Sequence, residues 1–248
     1  MSADWLAALK RCERPRLRLI CFPFGGGGPT AFYHWQAALP PDIELWAVAL
    51  PGREQRSEEP PVNEAGAVVA ALFAALEPLH DVPLAFYGHS MGAALALQTA
   101  HELRAHHRPQ PVRLIASGRL PPHHRPERWS HRSDEALLGH VQRLGGLPPA
   151  LLRHAPFLAA YLPRIRADFA LNEALSNARV PAFDFTITVV NGRTDPLVNE
   201  AALAEWRQYT SGPCELVWLP GDHFFIQSDP PAFLRVLAGE LAPSRDAA

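Results

Sequence analysis

The 248-residue sequence is short of several features that would mark a partner or a compartment. Neither charge is in excess: the formal net charge is -2 with a pI near 6.6, and no Lys/Arg run forms a nucleic-acid or membrane-facing patch. No apolar run approaches the roughly 18 residues of a membrane span, and the opening MSADWLAALKRCERPR lacks the unbroken apolar stretch of a secretory leader. Cysteine is scarce, three residues without framework spacing. Cys21 and Cys214 lie in apolar, strand-like runs and read as buried, reduced thiols. These absences predict a cytosolic protein that works on small molecules, with neither nucleic acid nor membrane as a partner.

Two familiar binding motifs are also missing. The four-glycine loop FPFGGGG has no following Lys-Ser/Thr, so it is not a phosphate-cradling P-loop. The run HELRAH, residues 101–106, has alanine at position 105 where a zinc-protease helix needs its second histidine, so its two rings fall on different faces.

What is present is enough apolar content, 48%, for one substantial core. Continuous apolar runs at 17–22, 43–50, 84–87, 112–116, 185–190 and 215–219 read as strands covered on both faces. Helical stretches at 65–79 and 93–106 lie between them, and this alternation predicts an α/β domain with a mainly parallel sheet and helices on both sides. The alternation stops at residues 121–181, where Pro and Gly punctuate several short helices. An insertion there, after a central strand, is placed to cover a site. The closing PSRDAA reads as a loose tail.

The chemistry centres on LAFYGHSMG, where Ser90 sits in a G-x-S-x-G pattern between a strand and a helix. Such a turn lifts a serine above the C-terminal edge of a sheet. A serine hydroxyl needs an imidazole to take its proton. Of twelve histidines only His223, in ELVWLPGDHFFI, follows a late strand, where the base belongs in the order serine, acid, histidine; His89, beside the serine, reads as structural. The imidazole needs a carboxylate to fix its tautomer. Asp195 in NGRTDP lies just past the strand at 185–190, whereas the rival Asp222 is adjacent to His223 and poorly placed to reach its ring. For the developing oxyanion, backbone N–H groups are expected from Met91, at the helix start, and from Gly25 in the glycine loop.

Taken together, LICFPFGGGG, FYHW, AVALPGRE, YGHSMGA, LIASGR, LGGLPP, RADFALNEAL, GRTDP and GDHFFI resemble the type II thioesterases of polyketide and nonribosomal peptide biosynthesis, within the α/β-hydrolase superfamily. The resemblance runs over nearly the whole chain. It implies an α/β-hydrolase fold over residues 1–248 with a helical lid at about 121–181. It places the nucleophile on Ser90, the acid on Asp195, the base on His223 and the oxyanion donors on Gly25 and Met91, although the family commonly carries alanine where Gly25 stands. Position 127 holds the first carboxylate after the strand at 112–116, so the earlier acid site of synthase-fused thioesterase domains is empty here.

The implied activity is hydrolysis of acyl thioesters from the phosphopantetheine arm of an acyl or peptidyl carrier protein, clearing stalled or misprimed units without metal or organic cofactor. Residues 121–181 hold eight Arg against five Asp/Glu, about +3. That excess fits either a docking face for a carrier protein or a solvated surface. The same residues would serve a small-molecule carboxylesterase or lipase, or a chain-terminating thioesterase. A non-catalytic docking module is disfavoured by the joint presence of serine, acid, histidine and glycine loop.

Overall fold

The computed structural model describes residues 5–148, 150–176 and 180–243. Its centre is a seven-stranded sheet in the order β1-β3-β2-β4-β5-β6-β7, with β1 Leu6–Lys10, β2 Leu17–Phe22, β3 Ile43–Val48, β4 Leu84–His89, β5 Arg113–Ser117, β6 Thr186–Gly192 and β7 Cys214–Leu219. All neighbours pair in parallel except β1, which runs antiparallel to β3. Six of the seven strands match the expected apolar runs. The seventh, β1, has the sequence LAALK, whose Ala, Leu and Lys favour helix. Its extended form is imposed by pairing with the open edge of β3, as Trp5 C=O also accepts from Ala49 N–H at 2.9 Å.

The helices are α1 Ala65–Leu76, α2 Met91–Ala105, α3 Asp134–Arg143, α4 Ala155–Leu175, α5 Glu200–Ala204, α6 Phe225–Ser228 and α7 Pro230–Glu240. They cover both faces of the sheet. Along β2, Ile20 and Phe22 enter a core shared with Val68 and Leu72 of α1 and Leu95 of α2. Leu19 and Cys21 face the opposite core, built with Phe32, Trp35 and, from α7, Phe233 and Leu237. Period-two alternation along one strand thus feeds two apolar layers, the signature of a sheet with helices on each side. Cys21 is fully buried, but Cys214 on the edge strand β7 is only half-buried. No helix among the described residues is long and apolar enough to cross a membrane.

The junction of β4 and α2 explains the glycines around Ser90. A Cβ on Gly88 would lie 2.4 Å from the Gly92 carbonyl, and one on Gly92 would lie 2.0 Å from the Phe22 carbonyl oxygen at the end of β2. Neither position admits a side chain, so α2 starts directly against the sheet. Ser90 itself has φ 55° and ψ -117°, a region that non-glycine residues avoid.

Between 121 and 181 no strand occurs among the described residues, as expected, but the helices differ from the expected series of short pieces. Among the described residues the segment holds α3, a single 3-10 turn at Leu151–Arg153 and α4, which runs 21 residues with Pro163 inside it. The proline lacks the N–H for one helical bond, yet its side faces solvent and the flanking turns are anchored by buried Tyr161, Ile165 and Asp168. A small separate core of Leu137, Val141, Leu147, Tyr161 and Ile165 ties α3 to α4. Residues 149 and 177–179 of this segment, and most of the PSRDAA tail, lie outside the described residues.

His140 of α3 packs flat on Trp129, ring centroids 4.0 Å apart and planes 13° apart. Burial, and then the neighbouring positive charge of Arg143 and the imidazole of His223, push its pKa down to about 4. The unfolded chain binds that proton near the ordinary histidine value, so stability from this site is complete above that value and falls as pH drops toward 4. Each pH unit in this window costs up to about 1.4 kcal/mol. We therefore expect urea unfolding of the parent to weaken more steeply between pH 7 and 5 than that of His140→Phe, which keeps the stack. Equal slopes would remove His140 from the account.

Candidate active site

Strand ends and loops from across the chain converge above the C-terminal edge of the sheet. They enclose a cavity of about 260 Å³ whose wall includes Phe24, Gly25, Ser90, Met91, His223 and Phe224 from the sheet side. Trp129, His140, Val141, Ile165 and Phe169 close it from the segment 121–181. All of the sequence-expected site residues except Asp195 therefore border one space. Asp195 lies one layer behind, bonded to His223.

The His223 imidazole is almost wholly buried, and its Nδ1 meets Asp195 Oδ2 at 2.9 Å. Asp195 is fixed in turn: Oδ1 accepts from Leu197 N–H at 2.9 Å, and Asn191 Nδ2 approaches Oδ2 at 3.4 Å. Asn191 Oδ1 also accepts Gly118 N–H at 3.0 Å, tying the acid's turn to the end of β5. With Nδ1 committed to a carboxylate, Nε2 is the nitrogen left for chemistry. The rival Asp222 spends Oδ1 on Phe224 N–H at 2.9 Å and stabilises the turn that carries His223. It has no hydrogen bond to the ring.

His89 is structural, as expected, and closer to the site than its position at the turn suggested. It is completely buried beneath His223, ring centroids 5.0 Å apart, with Nδ1 bonded to Ser117 Oγ at 2.8 Å. Burial, with a smaller contribution from the neighbouring His223, holds its pKa well below the ordinary histidine value. A neutral ring under His223 adds no charge to oppose an imidazolium above it.

The loop after β2 brings Gly25 to the cavity, and Gly25 N–H donates to no group among the described residues. Met91 N–H opens the first turn of α2, where an amide has no intrahelical partner. Next to this loop lies a pair not foreseen from the sequence, Arg53 with Asp168, both buried. Their segments, PGRE and RADF, carried the family resemblance, but 115 residues separate them and nothing in either one names the other.

Among the described residues, one grouping has donor atoms placed for a metal ion: His123, His124 and Glu205, outside the serine cluster. Glu205 Oε2 lies 2.5 Å from His123 Nε2 and 3.0 Å from His124 Nε2. These are hydrogen-bond separations that two imidazole N–H groups satisfy as they stand.

The geometry is that of a buried, acid-paired imidazole and a serine on a strained turn that share one cavity with Gly25 and Met91. A family model described as "Thioesterase domain" matches residues 17–241. The gramicidin S biosynthesis protein GrsT of Aneurinibacillus migulanus is 34% identical over 224 residues, spanning 90% of this chain and 88% of that protein. Among solved structures, the RedJ thioesterase of the prodiginine pathway in Streptomyces coelicolor superposes with a TM-score of 0.87 at 34% identity, covering 95% of both chains. BorB, a type II thioesterase from the borrelidin cluster, gives 0.86 at 28% identity over 98% of this chain and 99% of its own. The chain belongs to the thioesterase family, on the α/β-hydrolase fold, and its relatives include type II thioesterases of polyketide and nonribosomal peptide pathways.

Proposed function

We propose that this chain hydrolyses acyl groups from the phosphopantetheine arm of carrier proteins in such a pathway, removing stalled or misprimed units, with Ser90 as nucleophile, His223 as base and Asp195 as its orienting acid. The observation that carries the reading is the 2.9 Å bond from His223 Nδ1 to Asp195 on the floor of the cavity that Ser90 enters. In the first half-reaction Ser90 Oγ attacks the thioester carbonyl carbon while His223 Nε2 takes its proton. The oxyanion is held by Gly25 and Met91 N–H groups. Collapse breaks the C–S bond, and the proton passes from His223 to the departing sulfur. Water then attacks the acyl-serine with the same base, and Ser90 regains its proton as the acid leaves. Each step uses groups of this chain alone.

In this reading the chain is one α/β-hydrolase domain, and residues 121–181 are a lid whose apolar wall takes the acyl group. Of the arginines in that segment, Arg166 is committed to Asp134 and to the Ser130 and Arg132 carbonyls, and Arg164 lies half-buried over Tyr161. Arg125, Arg128 and Arg132 are exposed, and among the described residues only Arg132 has an ion-pair partner, Glu127 at 3.6 Å. Arg143 and Arg153 are exposed as well, and Arg125 also borders the cavity; residues 125–132 hold the tightest cluster in sequence and are the first to test as a face for an acidic carrier protein.

Three outcomes are expected. Ser90→Ala keeps the fold but loses thioester hydrolysis by roughly 10⁶ in kcat, checked with an acyl-pantetheine substrate; a tenth of the parent rate would contradict the assignment. Asp195→Asn costs on the order of 10⁴ in kcat by favouring the wrong tautomer, while Asp222→Asn costs far less. The reverse order would transfer the acid's role. Replacing Arg128 and Arg132 together with Ser, and keeping Arg125 because it borders the cavity, raises KM for an acyl carrier protein and flattens its salt dependence, but leaves an acyl-N-acetylcysteamine thioester unaffected. Equal losses on both substrates would mean a collapsed lid instead of a docking face.

A further inference from the structure

Three segments far apart in the chain meet on one buried ion pair beside the glycine loop. Arg53 lies in the turn after β3 and Asp168 in the middle of α4, and their side chains are 2% and 0% exposed. The contact is two-pronged: Nη1 donates to Oδ2 at 2.8 Å and Nη2 to Oδ1 at 2.7 Å. Each partner also grips the loop. Arg53 Nη1 donates to the Gly27 carbonyl at 2.8 Å, and Asp168 Oδ2 accepts Gly26 N–H at 2.7 Å. The loop is thus held through its own peptide groups, one N–H and one C=O, by a side chain from the core and a side chain from α4.

Two further observations give this grip a direction. Gly26 N–H is consumed by Asp168, while the adjacent Gly25 N–H, on the cavity wall, has no partner among the described residues. Gly26 also has φ 85°, and a Cβ there would lie 3.0 Å from Tyr161 Oη and 3.2 Å from Ile165 Cδ1, both on α4. Helix α4 therefore packs on the loop as well as bonding to it. A buried ion pair is poor evidence for stability, since an apolar pair of similar volume is often as stable. An apolar pair could not orient two peptide groups.

We propose that Arg53 and Asp168 are positioning residues that aim Gly25 N–H at the reacting carbonyl, and that they make this alignment depend on α4 being seated over the site. The proposal rests on the reading of Ser90 and Gly25 given above. Leu171 and Leu175 of the same helix are buried in the core over the sheet, so the loop is held against an element that is itself fixed to the scaffold. No proton or bond changes hands at Arg53 or Asp168; their role is geometric.

The test is the double variant Arg53→Met/Asp168→Leu, compared with the parent for melting temperature, for kcat and KM on an acyl-N-acetylcysteamine thioester, and for binding of two inhibitors. One is a trifluoromethyl ketone, which forms an oxyanion on the serine; the other is the matching thioether, which does not. The expected result is a folded protein with a melting temperature close to the parent's, KM little changed, and kcat lowered by about 10²-fold, the scale of a lost oxyanion donor. Trifluoromethyl ketone affinity falls with kcat while thioether affinity holds. If the double variant does not fold, Asp168→Glu, which keeps the charge and moves the carboxylate by one methylene, is read in the same way. A folded variant with parental kcat, equal losses for both inhibitors, or failure of both variants to fold would each overturn the proposal. Activity persisting in Ser90→Ala, run alongside, would instead overturn the site reading beneath it.

Discussion

The site depends on how closely α2 approaches the sheet. With Gly92 against the Phe22 carbonyl and Gly88 against Gly92, the helix begins where the strand ends, and Ser90 is forced into a backbone conformation that side chains avoid. Strain of that kind persists only where the surroundings over-determine it. Here they do: Ser90 N–H is held by the Ser117 carbonyl at 2.8 Å, and β4 pairs with a strand on each side. The same close approach brings the start of α2 against the end of β2, so the proposed nucleophile Ser90 and the proposed oxyanion donors Met91 and Gly25 border one cavity through backbone packing.

Charge is arranged around that scaffold by burial. Asp195 faces one nitrogen of His223, while the completely buried His89 beneath it stays neutral. Asp168, equally buried, is matched by a guanidinium and a peptide N–H and so is not free to compete for His223. Asp195, Asp168 and Arg53 thus each have a defined partner, as the cost of an unpaired buried charge demands. Arg119, also buried on the cavity wall, meets only the neutral oxygens of Asn172 and Ser176 among the described residues, and burial lowers its pKa to about 10. The segment 121–181 adds apolar wall from Trp129, Val141, Ile165 and Phe169, a surface suited to an acyl chain and unsuited to free water.

Much of this was legible in the sequence because it is written locally. Ser90 between two glycines, His223 after a late apolar run and Asp195 after the preceding one each carry their own context. What escaped was written only in three dimensions. The strand LAALK forms because β3 offers an edge, against the preference of its residues. Helix α4 continues through Pro163 because packing of Tyr161, Ile165 and Asp168 outweighs one missing hydrogen bond. Arg53 and Asp168 were visible as parts of two motifs, but a pair joined across 115 residues leaves no local trace. Helical period and turn residues cannot report a partner on another segment.

The central claim, that Ser90 takes the acyl group from a carrier-bound thioester, is most directly tested by rapid-quench mass spectrometry of the protein mixed with an acyl-loaded carrier protein. The account predicts an adduct of the acyl mass on the peptide containing Ser90, formed as the carrier loses its acyl group and decaying as free acid is released. Turnover with the adduct on another residue, or hydrolysis with no protein adduct at any time under a quench that preserves acyl-serine esters, would contradict it.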